Sequence, residues 1–202
     1  MIKNIIFDFG DIFIDLDKSA TATALKNYGF TGLSNDLEKL MHAYEKGLLH
    51  TDDFVKKTNV IVPKATESQL IAAWNKIILD VPEERLLFLE ALAKEKKYRL
   101  FLLSNTNALH IEKAIQNMGT SRYERFKNCF EKFYLSHEIH FRKPNVDIYE
   151  FVLDTNNLTA TESLFIDDTK ENTEAAKTLG IHTWNLRVGI EDIMDLNSKI
   201  PV

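Results

Sequence analysis

Three acidic side chains stand at the ends of short apolar runs: Asp8 within Ile5-Ile6-Phe7-Asp8-Phe9, and Asp167-Asp168 after Ser163 to Ile166. A carboxylate at the carboxyl end of a parallel strand points into the crevice where open α/β sheets bind ligands. Taken singly, each has an ordinary explanation, because Asp starts turns and caps helices. Capping accounts for one of the adjacent pair but not for both. Three converging carboxylates would repel one another unless a cation joined them, and a hard divalent ion held by oxygen ligands, with waters retained, is the Mg²⁺ pattern. Mg²⁺ is therefore the expected cofactor.

Ser104-Asn105 closes a further run, Tyr98 to Leu103, with a hydroxyl and an amide. With nearby backbone N–H groups these suit phosphate oxygens, although alone they also describe a turn and a cap. Lys143, in Phe141-Arg142-Lys143-Pro144-Asn145, offers a point cation on a loop that Pro144 stiffens. Asp8, Asp167 and Asp168 against Lys143 and one Mg²⁺ make a neutral site, and without the metal some carboxylate must hold its proton more tightly. Asp8 starts from an ordinary pKa of about 3.9, so at neutral pH it is expected to be an ionised nucleophile that needs no activating base.

The elements that carry these residues follow from hydrophobic periodicity. Apolar runs of four to six residues alternate with helical patterns, which predicts a parallel α/β sheet; the later runs are Phe133 to Ser136 and Ile181 to Leu186. Almost ninety residues separate the first run from the second, too many for an ordinary crossover. Within them, Leu37, Leu40, Met41 and Tyr44 fall at helical spacing, as do Leu70, Ile71, Trp74, Ile77 and Ile78 behind the cap candidate Thr66. The expected organisation is a Rossmann-like core of residues 1–14 and 83–202 with a helical cap of residues 15–82, Pro82 opening the helix that returns the chain to the sheet.

Size and charge narrow the function classes. A chain of 202 residues with 25 Lys+Arg against 30 Asp+Glu has no global field for a polyanion, which argues against nucleic acid as a partner. No apolar stretch reaches the roughly 20 residues of a membrane helix. The lone Cys129 has no internal disulfide partner, and the start MIKNIIFDFG lacks an export signal, so a soluble cytoplasmic protein is expected.

Four segments, Ile6-Phe7-Asp8-Phe9-Gly10, Leu102-Leu103-Ser104-Asn105, Arg142-Lys143-Pro144 and Phe165-Ile166-Asp167-Asp168, resemble in this order the motifs of the haloacid dehalogenase superfamily. The resemblance spans Ile5 to about Leu186. It implies a Rossmann-like core with a helical cap after the first strand and a Mg²⁺-dependent phosphatase acting on a small phosphorylated metabolite. By resemblance, Asp8 is nucleophile and metal ligand, the Gly10 carbonyl and Asp168 are ligands, and Asp167 supports the metal directly or through water. Ser104, Asn105 and Lys143 then bind the phosphoryl group.

Two positions depart from the pattern. Phosphatases of this superfamily usually carry a second Asp two residues after the nucleophile as general acid and base, where this chain has Gly10. Asp11, one residue further on, is a substitute or a turn residue, and the turn is favoured. His140 stands where relatives often have Gly before the Lys-Pro motif; His137 and His140 lack a third ligand for zinc. Two other readings stay open. A metal-independent 2-haloacid dehalogenase also lacks the second Asp, though Asp167-Asp168 fits a metal better than a carboxylate substrate. A binding or regulatory protein that kept the fold and lost turnover would also tolerate Gly10.

Overall fold

Strand β1 (Asn4–Phe7) is buried at every residue, as the central strand of a parallel sheet covered on both faces must be. It pairs in parallel with β2 (Arg99–Ser104) on one side and β4 (Ser163–Asp167) on the other, Phe7 standing opposite Leu102 and Ile166. Strands β3 (Lys132–Leu135) and β5 (His182–Asn185) complete the order β3-β2-β1-β4-β5. The computed structural model describes residues 1–200. After β3 the chain crosses from one edge back to the middle, which makes the β1/β4 boundary a topological switch point, the place where such sheets bind ligands. Asp8 and Asp167 flank it.

Alternation along each strand sorts side chains into two cores. Ile5, Phe7, Leu100 and Leu102 join Leu86 and Leu89 of α5 (Glu83–Glu95) and Phe126 of α7 (Thr120–Lys127). Ile6, Phe101, Leu103 and Phe165 face the other way, against Ile148, Tyr149 and Val152 of α9 (Val146–Asn156) and Ala176 of α10 (Lys170–Thr178). Helix α6 (Ala108–Met118) follows β2, the one-turn α8 (Ser136–Ile139) follows β3, and α11 (Leu196–Lys199) ends the described chain.

Between β1 and α5 lie four α-helices, α1 (Ala20–Lys26), α2 (Asn35–Glu45), α3 (Thr51–Ile61) and α4 (Glu67–Trp74). Thr66 caps α4 with a reciprocal pair of hydrogen bonds to Gln69. Leu25, Val62, Ala65, Leu70 and Ala73 form a small separate core, while Tyr44, Phe54, Val55 and Trp74 pack with Leu109 of α6. Two linkers join this segment to the sheet and tie to each other: Asp15 N–H donates to Asp80 O at 3.0 Å, Leu79 N–H to Asp15 O at 3.1 Å and Asp17 N–H to Ile77 O at 2.9 Å. Arg85 of α5 anchors the tie through Asp15 at 2.8 Å.

Candidate active site

Lys143 is the centre of the site. The sequence places it on a loop, where a lysine is ordinarily solvated, yet it is 1% exposed and its Nζ lies 2.7 Å from both Asp8 Oδ1 and Asp167 Oδ2. The Phe165 ring lies 5.3 Å from the same ammonium. Asn105 fixes the loop: its Nδ2 donates to Lys143 O and its Oδ1 accepts from Lys143 N–H, each at 2.9 Å. Both ends of the Asn105 amide are thereby engaged with the Lys143 backbone. Its side chain positions the lysine.

Asp8 directly follows β1, held by its N–H donating to Ile166 O at 2.9 Å. Burial raises its pKa from 3.8 to about 7; Lys143 opposes the rise and Asp167 adds to it. Ionisation at neutral pH, expected from the ordinary pKa of Asp, is therefore opposed in the metal-free site, because desolvation outweighs the neighbouring ammonium. Burial also pulls the Lys143 pKa down, but Asp167 and Asp8 overcome it and leave the group firmly charged.

Asp167 ends β4 fully buried, and its carboxylate accepts from Thr169 N–H at 2.8 Å, from Asn172 Nδ2 at 3.1 and 3.0 Å, and from Lys143. Asn172 had no place in the sequence pattern; its signal is its position in the first turn of α10, five residues after Asp167. Asp168 is less enclosed, and Lys18 Nζ lies 2.7 Å from its Oδ2 and 2.7 Å from Asp11 Oδ2. Burial lowers the Lys18 pKa, and the two carboxylates raise it by more. Lys18 stands outside the four motifs, at the mouth of the linker, and nothing in its local sequence marks it.

Asp11 has φ 54°, and its Oδ1 accepts from Leu16 N–H at 3.1 Å. This is a turn residue in the left-handed region with its other oxygen taken by Lys18, in keeping with the turn reading. Gly10 has ordinary φ and forms a bridge to Ile14. A Cβ there would meet Leu16 Cδ1 at 2.8 Å and stand 3.9 Å from Asp8 Oδ2. His140 has φ 63°, a conformation that favours Gly, and its Nδ1 pairs with Lys46 O at 2.9 Å. Ser104 is the buried last residue of β2.

The donor set fits a hard cation. Asp8, Asp167 and Asp168 each offer an oxygen within 4.8 Å of the others. With Asp11 included, four carboxylates face the ammoniums of Lys18 and Lys143, and one divalent cation closes the deficit when all are ionised.

The chain resembles known proteins over nearly its whole length. The chain is 28% identical over 197 residues to a D-ribitol-5-phosphate phosphatase of Bacteroides thetaiotaomicron, covering 95% of both. It is 24% identical over 202 residues to a sesquiterpene phosphatase of Aspergillus oryzae, covering 98% of this chain and 96% of the relative. A crystal structure of a haloacid dehalogenase family enzyme from Bacteroides thetaiotaomicron, in complex with magnesium, superposes with a TM-score of 0.87 at 33% identity, covering 98% of this chain and 99% of that one. No helix among the described residues is long and apolar enough to cross a membrane. Residues 5–186, from the strand that precedes Asp8 to the end of the sheet, match the family model, and the chain belongs to the haloacid dehalogenase-like hydrolases.

Proposed function

We propose that the protein is a Mg²⁺-dependent phosphatase of small phosphate monoesters, with Asp8 as the nucleophile. The observation that carries the reading is the Asp8–Lys143–Asp167 triad beside Asp168: a nucleophilic carboxylate, a buried ammonium and an oxygen-donor set within one crevice. Mg²⁺ bound by Asp8, Asp168 and the Gly10 carbonyl, with Asp167 in support, would neutralise phosphate oxygens and favour the ionised form of Asp8.

An Asp8 carboxylate oxygen attacks phosphorus in line, forming the acyl phosphate as the ester P–O bond breaks. Water then attacks the phosphoryl group, releasing inorganic phosphate and restoring Asp8. Lys143 holds phosphoryl oxygens while Asp167 and Asn105 keep its ammonium in place. Ser104, at the adjacent strand end, offers a hydroxyl as a further hydrogen-bond donor to the phosphate. Residues 15–82 form the cap, and the alcohol leaves beneath it. Gly10 supplies no proton and the Asp11 oxygens are engaged by Leu16 N–H and Lys18, so the leaving oxygen departs as the alkoxide and takes its proton from water.

The test is a phosphatase screen with Mg²⁺ and with EDTA, run beside chloride release from a 2-haloacid and repeated on Asp8→Asn. Metal-dependent phosphate release that Asp8→Asn abolishes is expected, since an amide is a poor nucleophile. Full phosphatase activity in purified Asp8→Asn, or chloride release in EDTA without phosphatase activity, would overturn the reading.

A further inference from the structure

A cavity of about 350 Å³ lies between the four inserted helices and the carboxylate crevice, within the range of small-molecule sites, about 300–1,000 Å³. Its wall is predominantly apolar and includes Phe30, Leu33, Leu37, Met41, Trp74 and Ile77. Three of its polar side chains, Lys18, Glu45 and His110, already make polar contacts. Lys18 bridges Asp11 and Asp168, and Glu45 pairs at 2.6 Å with Arg142, the neighbour of Lys143. His110 is in contact through both ring nitrogens, Nδ1 at 3.1 Å from Asn107 Nδ2 and Nε2 at 3.2 Å from Trp74 O. Burial lowers its pKa to about 4, so its ring is neutral at pH 7. One wall hydroxyl, Thr58 Oγ1, is buried without a partner. A larger concavity, about 630 Å³, opens at the amino-terminal strand ends around Lys3 and Arg99, away from Asp8.

We propose that the cavity beside the crevice is the leaving-group site, and that the substrates are phosphate monoesters of alcohols with a predominantly apolar carbon skeleton. This rests on the phosphatase reading and narrows it. Lys18 and Glu45 connect the cavity to the reacting groups, so a phosphate on Lys143 directs its alcohol carbon between the helices. A polyol there would set several hydroxyls against carbon, while the polar side chains of the wall are few and all but the Thr58 hydroxyl already have partners. An apolar chain meets no such penalty, and each methylene transferred from water favours binding.

The experiment measures binding of n-alkyl phosphonates from ethyl to octyl by calorimetry in Mg²⁺, beside kcat/KM for the matching alkyl phosphates and a pentitol phosphate. Affinity should tighten by about two- to fourfold for each methylene until the cavity is filled. Hexyl phosphate should be hydrolysed more efficiently than the pentitol ester. Leu33→Asp, at a wall position 59% exposed and therefore tolerant of charge, should flatten the chain-length gradient. A flat gradient in wild type, with the pentitol ester hydrolysed at least as efficiently, overturns the apolar site and leaves the phosphatase standing. A steep binding gradient with no ester hydrolysed keeps the site and overturns the phosphatase. Absence of both binding and hydrolysis overturns both.

Discussion

Replacing the nucleophile should make the metal-free protein more stable, in a manner that depends on pH. The folded-state pKa of Asp8 is about 7 against an ordinary 3.8, because burial penalises its charge more than Lys143 favours it. Between these two values the unfolded chain binds fewer protons than the folded one. Stability from this group is therefore greatest near pH 4, falls as pH rises through about 7, and is level above that. At about 1.4 kcal/mol for each tenfold change in proton affinity, the interval amounts to about 4 kcal/mol. Asp8→Asn keeps an acceptor for Lys143 and removes the buried charge. In EDTA at pH 8 the variant should be more stable than wild type by up to about 4 kcal/mol, or about 8–16 °C in Tm for a chain of this size. The gap should vanish towards pH 4. Taking the difference between two proteins matters, because neutral buried His110, with a pKa near 4, imposes the opposite slope on both. Mg²⁺ should narrow the gap by stabilising wild type, at about 2.7 kcal/mol for a concentration a hundred times Kd. Urea denaturation across pH 4–8, with and without the metal, checks each part. A gap that does not change with pH, or a variant less stable than wild type at pH 8, would refute the assignment of Asp8 as a desolvated carboxylate.

Lys143→Met leaves Asp8 and Asp167 facing each other without their cation, and should cost about 3–5 kcal/mol in urea denaturation at pH 8. The loss should be smaller at pH 5, where Asp8 carries its proton. Asp168→Ala should remove the Mg²⁺-dependent rise in Tm along with turnover, since too few oxygens remain near the ion; an undiminished rise would place the ion elsewhere. Gly10→Asp, combined with Leu16→Ala to clear the 2.8 Å approach at Cδ1, should accelerate alkyl phosphates more than p-nitrophenyl phosphate, within the roughly 10²- to 10⁴-fold span of general acid catalysis. Equal acceleration of both, or none, would show that leaving-group protonation is not what Gly10 lacks.

The sequence by itself determined the parallel sheet and the order in which chemistry-bearing side chains reach its strand ends. Apolar runs ending in Asp8, Ser104 and Asp167 are local patterns, and parallel pairing puts the carboxyl ends of their strands on one edge. Thr66 announced its helix for the same reason: a cap and its partner lie three residues apart. Tertiary structure decided what those residues experience. Lys143 reads as a solvated loop lysine until Asn105, Asp8 and Asp167 enclose it, and the ordinary pKa of Asp8 gives way once the same packing removes water. Lys18 lies 150 residues from Asp168, and Glu45 97 residues from Arg142, so neither pairing leaves a mark at short range. The apolar residues of α2 and α4 read as helix packing, because periodicity reports which face is apolar and not whether another side chain fills the space beside it. Spacing along a chain fixes local conformation; desolvation, pairing and cavities are properties of contacts between distant segments, and exist only after the chain has closed on itself.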